Sequence, residues 1–336
     1  RGFKDEELEA KPLSVQDLLA REYAQGNVPF RFNGSGRVVV AGASGLIGTA
    51  LVESLRADGV EVHTLVRRPP AAPDEHEWLL DDTPLDPAVL DGAAAVVSLG
   101  GANIGRIPWT PAYKRELLAS RMRGTGTIAR AVRALGADAP ALLSASAAGY
   151  YGSRPGEVLD EASTRGRGFM SDLVAHWEAA ALGAGEHART VLLRTAPVVH
   201  AKGVLAPMIR LTMLGAGGPL GRGTQAWPWI SLDDEVRAIR FALDHELAGP
   251  INLTGPTRAT ANDLGFALAV GLNRPFLLRA PAFALRAALG RDLADGLLLA
   301  DAHVVPEALH AAGFTFTHHR VEAAVAAAID AMRARA

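Results

Sequence analysis

From residue 37 to about residue 195, short unbroken apolar runs alternate with longer stretches whose apolar positions recur every three or four residues. An unbroken run reads as a parallel strand buried on both faces, and the three-to-four spacing reads as a helix packed on one side. Runs at 37–41, 60–66, 77–80, 93–99, 141–146 and 190–195 predict six strands. Between them the spacing predicts helices from Leu46 to the stop at Asp58-Gly59, over 111–135 and over 171–182. This alternation predicts an α/β fold, a Rossmann-like doubly wound parallel sheet. Past residue 200 the pattern degrades into helices at 207–214 and 235–247, a strand at 251–253, and an apolar helical remainder broken by prolines 275, 281 and 306. The expected organisation is a dinucleotide-binding domain at 37–202, with elements near 230–255 returning to it, and a smaller, mostly helical capping domain in 203–336. Residues 1–36 read as an appendage. Ser14 opens a helix over 15–25, and Asn33-Gly34-Ser35-Gly36 forms a connector, which leaves room for a fused or partner domain on that side.

The first strand runs directly into Gly42-Ala43-Ser44-Gly45-Leu46-Ile47-Gly48 and then into the first helix. Gly42 can take the tight turn, Gly45 lets backbone approach a diphosphate, and Gly48 lets helix and strand pack closely; the helix N-terminus offers unpaired N–H groups to phosphate. The second strand ends in Arg67-Arg68-Pro69, where a carboxylate would bind a ribose 2′-hydroxyl. Two guanidinium forks there predict a 2′-phosphate instead, and so NADP(H) rather than NAD(H). In sheets of this kind ligands lie beyond the carboxyl ends of the strands. The remaining ends add Ser98, Leu99, Gly100, Ser144, Ala145, Pro197 and Val198 as expected cofactor contacts, with Ser146 beside them.

Composition narrows the chemistry. A chain of 336 residues can bury a sizeable core, and a net charge of −2 argues against a nucleic-acid footprint. No apolar run reaches the roughly 18 residues of a membrane span, no signal-peptide pattern opens the sequence, and the expected setting is cytoplasmic. The absence of cysteine excludes disulfides, thiolate metal sites and a cysteine nucleophile. The ten histidines include no His-Glu-x-x-His spacing, and His318-His319 reads as a surface pair, so no metal is expected. Neither a Gly-x-Ser-x-Gly elbow nor a Walker lysine is present.

These segments resemble the short-chain dehydrogenase/reductase superfamily in its extended branch. More narrowly, they resemble the atypical epimerase family proteins that carry a C-terminal domain of unknown function. Further matching segments are Ser144-Ala145-Ser146-Ala147-Ala148-Gly149-Tyr150-Tyr151-Gly152, Trp109 with Lys114 and Ser120-Arg121, Trp177-Glu178, Trp229-Ile230 with Asp234, and Leu297-Leu298-Leu299 with Val305-Pro306. The resemblance implies a nicotinamide dinucleotide more firmly than it implies a reaction. Hydride-transferring members use a Tyr-x-x-x-Lys pair, in which the lysine charge depresses the phenol pKa. Here no tyrosine is followed four positions later by lysine. The resemblance places the family's tyrosine and lysine at Met170 and Val174, and its serine or threonine at Ala147. Tyr150, four residues before Arg154, is the candidate catalytic group, and Lys114, Tyr151 and Trp229 are candidate contacts for a small polar substrate. Asp234 reads first as a helix cap. Three functions follow as expectations: an NADP(H)-dependent epimerase-like or reductase-like oxidoreductase with atypical acid–base residues, a non-catalytic NADP(H)-binding sensor or scaffold, and an ordinary nucleotide-sugar epimerase.

Overall fold

The computed structural model describes residues 36–81 and 83–334, so the helix expected at 15–25 lies outside the described residues. The strands are β1 (Arg37–Ala41), β2 (Val62–Val66), β3 (Glu75–Glu77), β4 (Ala93–Ser98), β5 (Ala141–Ala147), β6 (Val158–Leu159), β7 (Thr190–Thr195), β8 (Val198–Val199), β9 (Ile230–Ser231), β10 (Gly249–Leu253) and β11 (His303–Val304). Seven of them form one parallel sheet in the order β10-β7-β5-β4-β1-β2-β3. The direction of winding reverses between β1 and β4, and the crevice opens there.

The unbroken apolar runs are buried on both faces as their composition requires. Val38 and Val40 point to one side with Leu51, Leu55, Ile239 and Phe241, while Val39 and Ala41 point to the other with Val96, Ile128 and Val132. The first side is covered by α1 (Leu46–Ala57), and the second by α2 (Pro111–Ala134) and α3 (Phe169–Leu182). Helix α2 begins where Thr110 Oγ1 accepts from Tyr113 N, with Pro111 at its first position.

The third strand departs from expectation. It lies at Glu75–Glu77 rather than 77–80, in register with Thr64–Val66. Leu79 takes φ +55°, which ends the strand, and Trp78 turns inward to pack in the core beside Gly124 of α2.

Beyond β7 come α4 (Leu205–Met213), α5 (Leu232–Asp244), α6 (Ala261–Gly271), α7 (Ala282–Leu289), α8 (Glu307–Ala311) and α9 (Val321–Arg333). Helix α5 starts three residues earlier than the periodicity predicts, because Ser231 Oγ caps it through Asp234 N. It lies beside α1, where Arg240 reaches Ser54 Oγ and Asp58, while β10 extends the sheet beyond β7. Helices α6 and α9 bury Trp227 and Trp229 in a separate apolar cluster. Among the described residues no helix is long and apolar enough to cross a membrane.

Candidate functional site

The β1–α1 turn is shaped by three glycines. Gly42 adopts φ +84°, and a Cβ there would stand 2.9 Å from Gly100 N, so the loop after β4 lies directly against the turn. At Gly48 a Cβ would meet Gly42 O at 2.2 Å, which is the close helix–strand approach that only glycine permits. Gly45 is the N-cap of α1 and brings no side-chain acceptor, so the first turn presents its N–H groups without a cap. Ser44 and Gly45 are exposed, and Ala43, Leu46 and Ile47 half-buried, along the lip of this turn.

At the tip of β2 the two arginines differ. Arg68 forms a two-pronged ion pair with Glu75 at 2.6 and 2.7 Å, and this pairing holds the Glu75 carboxyl down to about 2. Arg67 is exposed and makes no hydrogen bond or ion pair among the described residues. Only one of the two expected forks is therefore free.

The strand ends on the far side of the crevice sort by depth. Leu99, Gly100, Ala145, Pro197 and Val198 are half-buried at the rim. Ser98 and Ser144, paired in register, are 2 % and 0 % exposed and lie behind this rim. The 198–204 segment crosses the start of α1, since a Cβ at Gly203 would lie 3.3 Å from Leu46.

Past β5 the site is made of side chains. Ser146, Arg194 and Asn252 are neighbours in register on β5, β7 and β10. Arg194 pairs with Glu178 of α3 through Nε (2.7 Å) and Nη2 (2.9 Å), and Ser146 Oγ donates to the same carboxylate at 2.6 Å. Burial opposes the Arg194 charge, but the hydrogen bonds to Glu178 more than restore it and hold the guanidinium above its ordinary value. Arg194 Nη1 also donates to Tyr151 Oη at 2.9 Å, and that hydroxyl donates to Asn252 Oδ1 at 2.7 Å.

Two of the expected substrate contacts lie inside the protein. Tyr151 is fully enclosed in this network, and burial, against the opposing Arg194 charge, pushes its phenol up to about 12. Trp229 is 1 % exposed and donates to Thr257 O, so it supports the fold of the 254–257 loop. Lys114 Nζ lies 2.6 Å from Asp292 and above the Phe169 ring, tying α2 to the segment after α7.

Tyr150 sits on the short turn that follows β5, half-buried among Ala147, Met170 and Leu297. The Arg194 guanidinium carbon stands 3.6 Å from its ring centroid, and its hydroxyl has no hydrogen bond among the described residues. Arg154 is not its partner, because it is taken by Glu157 and Thr164 O. Met170 and Val174, buried on α3, pack against Gly149. The site members that spacing did not reveal are Arg194 and Asn252. Their one signal is a polar residue inside a strand run that must be buried on both faces.

Asp233, Asp234 and His318 come together at the start of α5. Asp234 is not the cap, which is Ser231; its carboxylate is saturated by Thr317 N, His318 N, Ser231 Oγ and Arg237, and it joins α5 to the 317–318 turn. A cavity of about 480 Å³ lined by Arg133, Gly136 and 184–187 opens at the opposite, amino-terminal edge of the sheet, away from every residue above.

The sequence pattern of the NAD dependent epimerase/dehydratase family matches residues 38–253, and that of a domain of unknown function, DUF1731, matches 280–328. The epimerase family protein Mb2239 of Mycobacterium bovis is 42% identical over 287 residues, covering 84% of this chain and 94% of that protein. Among solved structures, human epimerase family protein SDR39U1 with NADPH superposes with a TM-score of 0.79 at 30% identity, over 88% of this chain and 99% of that one. The nucleoside-diphosphate sugar epimerase of Corynebacterium glutamicum superposes with a TM-score of 0.73 at 27% identity, over 93% of this chain and 62% of that one.

Proposed function

Because this chain belongs to the NAD dependent epimerase/dehydratase family, we propose that it binds NADP(H) across the β1–β4 crevice and serves as an epimerase-like or reductase-like oxidoreductase on a small polar substrate. The observation that carries the cofactor is the uncapped, glycine-lined start of α1 together with the unpaired Arg67 at the tip of β2. The superposable human relative crystallised with NADPH supports the same choice.

The residues fit the group. First-turn N–H groups of α1 would take the diphosphate, and Arg67 the 2′-phosphate, with Arg68 locked beside it by Glu75. Bound there, NADPH would supply a hydride to an acceptor carbon. The chain supplies the matching proton to the acceptor oxygen, and Tyr150 Oη is the group we assign to it. The stacked Arg194 holds the Tyr150 ring in place, and Glu178 in turn holds Arg194. The usual Tyr-x-x-x-Lys pair takes no part in this reading, since no tyrosine is followed four positions later by lysine and the resemblance puts the pair's places near Met170 and Val174. The same two apolar residues favour a second reading, in which the dinucleotide is bound and sensed without turnover.

Calorimetry tests the cofactor. NADPH should bind more tightly than NADH, and Arg67→Ala should remove about tenfold to a hundredfold of that difference, the value of a charge-assisted contact. Equal affinities in the parent would defeat the NADP(H) assignment. The chemistry is tested by NADPH consumption against a set of keto-sugar nucleotides and small ketones. Tyr150→Phe should abolish any rate while leaving NADPH affinity unchanged, and an undiminished rate would remove Tyr150 from the mechanism. Tight NADPH binding with no consumption of any carbonyl would decide for the sensor.

A further inference from the structure

Arg121, on α2, is 8% exposed, yet no carboxylate pairs with it among the described residues. Its Nη1 donates to two backbone carbonyls, Leu117 O at 3.0 Å and Ala102 O at 3.3 Å, and its guanidinium lies 4.8 Å from the Trp177 ring centroid. Nε is closed off from solvent with no hydrogen-bond partner among the described residues. Nη2 also makes no hydrogen bond among the described residues but is not closed off in this way. Burial draws its pKa down to about 10, the direction expected of a cation that lacks a counter-ion.

The contrast with Arg194, equally buried but gripped by Glu178 at two points, is sharp. A buried cation without a partner carries a desolvation penalty that two carbonyls and a ring face offset only in part. The position of Arg121 indicates what completes it. Its guanidinium lies against Gly101, where a Cβ would stand 3.3 Å from Cζ. Gly100, one residue back, lies against the Gly42 turn. The loop 99–101 therefore spans from the phosphate-binding turn to Arg121, and Ser120 Oγ fixes its far end by accepting from Ala102 N at 3.0 Å.

We propose that Arg121 is a ligand-binding residue whose missing counter-ion is an anionic group of the bound ligand, a phosphate or carboxylate held beside the Gly100-Gly101 loop. The inference rests on the reading of the crevice as a dinucleotide site. The anion has two possible sources of the same chemistry, the diphosphate of the dinucleotide or an acidic group of the substrate.

The test uses the full chain with Arg121→Met, which keeps an unbranched stem and removes the charge, and with Arg121→Lys, which keeps the charge. Apo Arg121→Met should melt at or above the parent temperature, because it removes an unpaired buried charge. A purely structural arginine would give the opposite sign. If the diphosphate is the anion, Arg121→Met should weaken NADPH about tenfold to a hundredfold while adenosine 2′,5′-bisphosphate, which lacks the diphosphate, binds as in the parent. If the anion belongs to the substrate, NADPH affinity should hold. Inorganic phosphate added to the NADPH complex should then raise the melting temperature of the parent saturably and leave that of Arg121→Met unmoved. Arg121→Lys should recover part of whichever effect is seen, and it carries the binding comparison if the methionine variant fails to fold. NADPH and phosphate responses equal to the parent in both variants would overturn the inference. A parent that binds no NADPH would instead overturn the reading of the crevice.

Discussion

The two ends of the crevice are built on opposite plans. At the β1–α1 turn the surface lining the crevice is main chain, and the side chains that matter are the ones missing at Gly42, Gly45 and Gly48. Beyond β5 the surface rests on buried side chains, with Ser146, Glu178, Arg194, Tyr151 and Asn252 closed into one network. Main-chain N–H groups are the same in every residue but proline, so the first end is intolerant of an added atom and otherwise indifferent to side-chain chemistry. The second end is the reverse, since each member satisfies its neighbour and the loss of one strands another.

That difference is tested most severely at Arg194. Arg194→Met leaves the Glu178 carboxylate buried and unpaired, which costs about 3–5 kcal/mol and lowers the melting temperature by roughly 10 °C for a domain of this size. Joining it to Glu178→Met should recover most of the loss, because removing both charges is far cheaper than stranding one. Thermal melts of the two singles and the double close the cycle. A double variant no more stable than Arg194→Met would show that the pair is not the element holding this end together.

The two plans also explain what could be read in advance. Local spacing carries the first end, since three glycines three apart between an apolar run and a helical pattern are contiguous in the chain. The parallel sheet and its helices were legible for the same reason, because Val38 to Ala41 alternate between two buried faces. The second end joins residues 16, 43 and 101 positions apart, and no local pattern encodes which carboxylate meets which guanidinium. Tyr150 and Tyr151 show the limit well. Adjacent in the chain, one is enclosed against Asn252 and the other keeps its hydroxyl free of protein partners, and only the turn after β5 separates them. The apolar Trp78 misled the placement of β3, because a plug for the core and a strand residue look alike in a short run.

At the phosphate end a single methyl group is the sharper probe. Gly48→Ala puts a Cβ 2.2 Å from Gly42 O, so the turn must open, at a cost of about 1–3 kcal/mol by the measure of an overpacked core. Gly45→Ala, whose nearest neighbour would be Gly42 O at 3.3 Å, should disturb the fold far less. Both should weaken NADPH, the first through loss of the turn and the second by crowding the uncapped N-terminus. A Gly48→Ala protein with parental melting and parental NADPH affinity would break the account of this end.

The smallest effect separates the plans by pH. Glu235, at the start of α5, is fully buried; it accepts from Thr195 Oγ1 at 2.8 Å, and its second carboxyl oxygen has no partner. Burial, against that one hydrogen bond, pushes its pKa from 4.5 to about 8. In the folded protein the carboxyl therefore stays protonated through neutrality, while in the unfolded chain it ionises near its ordinary value. Between those two values the folded state binds the extra proton, so stability falls as pH rises and the loss is complete only above about pH 8. From pH 7 to pH 8 the decline is about 1 kcal/mol, or roughly 3 °C in melting temperature. Glu235→Gln preserves the shape and the acceptor for Thr195 and removes the titration, so its melting temperature should lose that part of the slope. The first-turn glycines carry no titrating group, and Gly45→Ala should leave the slope as it is in the parent. A Glu235→Gln slope equal to the parent's over this interval would mean that the carboxyl ionises where it stands, with a partner for its second oxygen that the folded chain must then provide.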